Sequence, residues 1–198
     1  MSTIGPLFSA HVIEEAAIAA LREGIPFYAE EARAQYGLEL PEIKSWGLSN
    51  KTYDRFPEQA LPALVVVAEG LGPGGAPQKY GGGWYRAAWS LGVVVVIQHP
   101  KLTDARKIAQ IYGAVTRGAL LQRRDLGEGG QIADWIDEGY PYKTGDNRTR
   151  AAAENVFLVK RDEVVNWQMG PKGNKLPGVI QPEYPEITEV EVDTEVKE

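Results

Sequence analysis

Tyr85-Arg-Ala-Ala-Trp89-Ser-Leu-Gly-Val-Val-Val-Val-Ile97-Gln98 is the stretch on which the fold turns. Read with a period of two, Tyr85, Ala87, Trp89, Leu91, Val93, Val95 and Ile97 fall on one face, with Arg86, Ser90, Gly92 and Gln98 on the other. One face is apolar throughout, which sets the strand against a core. At about 3.3 Å per residue it spans on the order of 40 Å, more than a small core requires, so part of it is expected to project. Upstream, Ala63-Leu-Val-Val-Val-Ala68 is apolar on both faces and rich in β-branched residues, as a sheet interior would be. Between these strands, residues 70–83 hold seven glycines and two prolines. That connection is expected to be a mobile loop and not a tight hairpin turn.

Working outward, Ser9 can cap a helix with Val12, Ile13, Ala16, Ala20 and Leu21 on one stripe, and Gly24 and Pro26 are expected to interrupt it. A second helical stretch from Pro26 carries Tyr28, Ala29, Ala32 and Tyr36 and stops at Gly37. A short strand is expected at 42–46 and a loop at 48–56. Beyond the long strand, Pro100 closes it, and Thr103 is placed to cap a helix burying Ile108, Ile111, Tyr112, Val115, Ala119 and Leu120. Arg106, Lys107, Arg117, Arg123 and Arg124 fall on that helix's solvent side or near its C-terminus. A glycine-rich turn at 125–130, a strand at 131–140, a turn around 144–147 and a strand at 151–161 come next. Helix, strands, helix, strands argues for an α+β fold, a mainly antiparallel or mixed sheet flanked on one side by two helical units.

The organisation expected is one domain over residues 1–170 and an extended C-terminal arm over 171–198. In that arm Thr188, Val190, Val192, Thr194 and Val196 alternate with charged Glu189, Glu191, Asp193, Glu195 and Lys197. The alternation predicts a strand that adds to an exposed sheet edge of a neighbouring subunit or an adjoining protein.

Length and composition fit one globular domain: 198 residues, 43% hydrophobic and 24% charged. With no cysteine there is neither a disulfide framework nor a thiolate metal site. The net charge of -6 sits at the end, because residues 183–198 hold seven acids and one lysine while the preceding part balances. A balanced body gives no footprint for general nucleic-acid binding. No stretch reaches the roughly 18 apolar residues of a membrane span, and MSTIGPLFSA lacks the pattern of a signal peptide, so synthesis in the cytoplasm and no membrane association are expected.

Catalytic chemistry has little to work with. The two histidines, His11 and His99, belong to no HExxH, and neither GxSxG nor a phosphate-binding GxxxxGK[ST] occurs. Gly70-x-Gly72-x-x-Gly75 matches the dinucleotide fingerprint by letter, but the residues after Gly75 do not open a helix to receive a pyrophosphate. Asp134, Asp137 and Glu138 are the one acidic cluster of the body; strand alternation separates them, and a solvated edge is expected. No catalytic, cofactor-binding or metal-ligating residue is assigned. Of five tryptophans, Trp89 belongs to the core face, whereas Trp84 and Trp167 border glycine-rich segments. The residues expected at interfaces are Gly74, Tyr80, Trp84, Arg117, Trp167, Val190, Val192 and Val196.

Several segments taken in order resemble the tail terminator proteins of long-tailed bacteriophages, above all those of actinobacteria. They are Val12-Ile-Glu-Glu-Ala16, Gly24-Ile-Pro-Phe-Tyr28, Leu61-Pro-Ala-Leu-Val-Val-Val67 and Gly81-Gly-Gly-Trp-Tyr-Arg-Ala87 with the valine strand. Asp104-Ala-Arg-Lys-Ile-Ala-Gln-Ile-Tyr112-Gly-Ala-Val-Thr-Arg117, then Leu126-Gly127, Trp135, Glu138 and Tyr140, continue the likeness over about residues 10–170. The resemblance implies a small fold of central sheet and flanking helices, assembled as a hexameric ring. That ring caps the finished tail tube, ends its polymerisation and joins it to the head-side connector or head-closure protein, with genomic DNA only passing through the lumen. It implies a virion protein of the neck, without catalytic residues or cofactor. Another head–tail connector or adaptor protein of the neck is the alternative, and a small-molecule-binding enzyme stands third. The long glycine connection and the extended end beyond about residue 170 depart from the family pattern.

Overall fold

The computed structural model describes residues 8–48, 56–72, 76–145 and 148–166. Among these residues two α-helices and seven strands run in chain order: α1 (Ala10–Tyr36), β1 (Ser45–Leu48), β2 (Ala63–Leu71), β3 (Gln78–Tyr80), β4 (Trp84–His99), α2 (Leu102–Gln122), β5 (Gln131–Gly139), β6 (Tyr142–Thr144) and β7 (Thr149–Asn166). The strands form one sheet in the order β1-β2-β4-β7-β5, with β3 beside β4 and β6 beside β7. Only β1 and β2 run parallel, so the sheet is mixed and mainly antiparallel, and the fold is α+β as the element order implied.

Period-two patterning decides what the sheet buries. Leu91, Val93, Val95 and Ile97 of β4 share a face with Leu64 and Val66 of β2 and with Ala151, Ala153, Phe157 and Val159 of β7, and α1 and α2 cover that face. Ile108, Ile111, Tyr112, Val115, Ala119 and Leu120 are all buried, as the spacing on α2 required. Among the described residues the opposite face is covered at one end, where Phe56 and Leu61 pack on Ala63, Val65, Val96 and Ala152.

The N-terminal region is one helix where two were expected. Ser9 caps it, accepting the His11 N–H at 3.3 Å, and Gly37 ends it in the left-handed conformation at φ 62°. Pro26 lies inside it. A proline there removes the donor for the carbonyl four residues back, that of Arg22. Both residues are exposed, so water can take the missing donor's place, while buried Leu21, Ile25 and Ala32 hold both halves to the core. Gly24 serves packing and not interruption, since a Cβ on it would stand 2.7 Å from the Ala119 Cβ of α2. Thr103 does not cap α2. Lys101 occupies the capping position without a side-chain bond, and its N–H donates to His99 Nδ1 at 3.2 Å.

The connection between β2 and β4 also differs from expectation. Its second half is a tight hairpin in which Tyr80 pairs with Trp84 around Gly81–Gly83. Gly82 and Gly83 adopt φ 73° and 80°, which side-chain-bearing residues rarely do, and so they allow the three-residue turn. Gly72 is fixed as well: its N–H donates to the Ala88 carbonyl at 2.9 Å, and a Cβ would come within 2.6 Å of Leu158 Cδ1. The dinucleotide fingerprint thus begins in a strand and is followed by the strand β3. The C-terminal arm, including Val190, Val192 and Val196, lies outside the described residues, as do Gly74 and Trp167.

Candidate functional site

Three places carry unusual chemistry or exposure. The first is the end of the sheet that runs past the helices. There β4 continues to Trp84, flanked by β3 and by the last residues of β7, with Tyr85 opposite Val165 and Trp84 opposite Asn166. Val165 is 40% exposed at this end and Trp84 is half-buried, while Leu71, 50% exposed, lies further along opposite Trp89. Two expected interface residues, Tyr80 and Trp84, are brought together here by the hairpin.

The second place is a clamp between α2 and the edge strand β5. Arg117 pairs with the Glu138 carboxylate, Glu138 also accepts the Tyr140 hydroxyl, and the guanidinium sits 4.5 Å from the Trp135 ring centroid. Arg117 is therefore half-buried in an intramolecular contact, not on the solvent side where its helical position suggested. Glu138 likewise is not a solvated edge acid. Two register shifts in β5, between Ile132 and Asp134 and between Trp135 and Asp137, break the simple alternation and turn Glu138 toward α2. Beneath the clamp is a polar knot: the Trp135 indole N–H donates to Asn155 Oδ1 at 3.2 Å, and Asn155 Nδ2 donates to the Gly113 carbonyl at 3.0 Å and to Thr116 Oγ1 at 2.9 Å. Every polar group of this buried asparagine side chain is satisfied.

The third place is the sheet face away from the helices. Toward its middle, Glu154 has its carboxyl pushed above the usual carboxylate range, chiefly by burial and further by the negative charges of Glu69 and Asp137. Toward the projecting end a groove of about 700 Å³ crosses the face. Its floor includes Ala88 and Leu158, Arg86 and Lys160 stand over it, and Gln78 and Gln131 bound its two sides. Arg86 pairs with Asp162 at 3.2 Å, whereas the Lys160 ammonium has no ion-pair partner among the described residues.

Residue spacing could not reveal the clamp, the knot or the groove, because each joins segments tens of residues apart. Among the described residues no cluster of three His, Asp or Glu is arranged to hold a metal ion, and no helix is long and apolar enough to cross a membrane. No protein-family model matches the chain, and no curated protein matches it in sequence.

Proposed function

We propose that this chain is a structural protein of a long-tailed phage neck, made in the host cytoplasm and carried in the virion, that closes into a ring of six. The ring caps the tail tube, ends its polymerisation and joins it to the head-side connector. The reading is supported by the ordered resemblance of residues 10–170 to tail terminators, and the structural observation that carries it is the projecting end. A strand pair that outruns its own core, with Val165 exposed and Trp84 half-buried at the tip and exposed Leu71 further along beside Trp89, offers apolar surface to another copy. Head-to-tail contacts between identical subunits close into rings when the rotation permits.

Native mass spectrometry of the purified chain is expected to give six times the 21.7 kDa subunit mass. Trp84→Ala with Leu71→Ser is expected to shift it toward monomer. Electron microscopy of particles made without the protein should show tails of uncontrolled length not joined to heads. A monomer at every concentration, together with normal tails in its absence, overturns the reading.

A further inference from the structure

We propose that the groove on the sheet face away from the helices is the docking site of the chain's own acidic C-terminal segment, residues 183–198. The two surfaces are complementary in pattern. Within the segment, Thr188 to Val196 alternates Val and Thr with Glu and Asp, so in extended form that stretch has one β-branched face and one acidic face. Seated on Ala88 and Leu158, it brings its acids up beside Arg86 and Lys160; the two acids of the lining are already engaged, Asp162 with Arg86 and Asp125 with the Gly127 N–H, whereas Lys160 has no ion-pair partner among the described residues.

The sheet edges, where such a strand would otherwise add, are poor acceptors. β5 presents Asp134 and Asp137 and carries two register shifts that interrupt its ladder, so an acidic strand there meets like charge. On the other flank β1 is four residues long and β3 three, and the Ala68 N–H of β2 between them is taken by Glu14 Oε1. The reach also favours the same chain. From Lys160 to Asn166 β7 runs six residues, on the order of 20 Å at strand rise. Residues 167–182 contain three prolines and three glycines. A random coil of that length has a root-mean-square span of roughly 22 Å, close to the distance to be covered, which is where the effective concentration of a tethered segment peaks.

Zero-length carbodiimide cross-linking of the full chain, read by peptide mass spectrometry, tests this. Lys160 is expected to link to Glu189, Glu191, Asp193 or Glu195 far more than exposed Lys101 and Lys107 do. The yield is expected to fall in about 1 M salt, where the screening length shrinks to roughly 3 Å. Val190→Ser, Val192→Ser and Val196→Ser together, which leave the described body untouched, are expected to lower it about tenfold by removing the apolar face. In a mixture of isotopically light and heavy chains the links are expected to stay within one chain. Equal linking of Lys160 and Lys107, no effect of the triple change, or links joining light to heavy chains would each overturn the proposal.

Discussion

The side-chain amide of Asn155 on β7 donates to Thr116 Oγ1 on α2 at 2.9 Å, and both residues are buried. Thr116 in turn donates to the Tyr112 carbonyl at 2.8 Å, so the helix backbone, the central sheet and the Trp135 indole of the edge strand are joined through one asparagine. Such a site tolerates only side chains that satisfy every member, because an orphaned polar group has no water to turn to.

Asn155→Leu keeps the volume and removes three hydrogen bonds. At roughly 1 kcal/mol net for each, the expected loss is about 2–3 kcal/mol in urea unfolding. Adding Thr116→Val is expected to cost less than its single-site value, since its partner is already gone. A double-mutant cycle with zero coupling would disprove the connection.

Gly24→Ala sets two effects against each other. Alanine is favoured over glycine in a helix by about 1 kcal/mol, but the new methyl meets the Ala119 Cβ at 2.7 Å, and overpacking costs about 1–3 kcal/mol. Packing wins, so thermal unfolding is expected earlier. Ala119→Gly in the same chain is expected to recover part of the loss; an equally unstable double variant would refute the contact as the cause.

Glu154 has its folded pKa raised by burial and by Glu69 and Asp137, so the native state binds its proton more tightly than the unfolded chain does. Its effect is absent at pH below the unfolded value and becomes destabilising as pH rises through it. Glu154→Gln is therefore expected to raise the melting temperature at pH 7 by ~1–3 °C and to change little at pH 3. A stabilisation larger at pH 3 than at pH 7 contradicts that sign.

Burial pushes the Tyr112 phenol upward, and its hydroxyl donates to the Pro41 carbonyl. The folded form holds this proton after the unfolded chain has released it, so stability declines as pH climbs past the ordinary value of 10.0, by up to about 1.4 kcal/mol per pH unit. Tyr112→Phe is expected to start less stable by about 1 kcal/mol and to show a shallower alkaline decline in denaturant titrations. Parallel pH curves for the two proteins would rule this out.

Periodicity made the central elements legible in the sequence. The apolar face of β4 and the buried stripe of α2 come from spacing alone; the stripe is observed, and so is the face from Ala87 to Ile97, whereas Tyr85, beyond a register shift, lies outside the core. Pro26 misled because propensity weighs a local loss of one hydrogen bond, whereas the helix is held from both sides by Leu21, Ile25 and Ala32. Glu138 misled because strand alternation assumes an unbroken ladder, and no local signal marks the two register shifts in β5. Of the expected interface residues, Tyr80 and Trp84 meet across a hairpin that the run of glycines had suggested could not form. The groove was invisible for a different reason: its two sides, Gln78 and Gln131, come from strands on opposite flanks of the central pair.

The pairing of β4 with β7 sets a clock on synthesis. His99 meets Thr149 at the near end and Trp84 meets Asn166 at the far end, so each contact waits for a residue at least fifty positions later in the chain. At about 5–20 residues per second on the ribosome, β4 spends several seconds with one edge unclaimed. That edge includes Val93-Val-Val-Val-Ile97, a run of high β-propensity without charge, which is the kind of segment that seeks strands of other nascent chains. Within that interval α2 emerges directly behind β4 and can cover its apolar face before β7 arrives. The order of elements along the gene thus shields the face first and closes the edge last, and soluble yield is expected to depend more on α2 than its share of the finished core suggests.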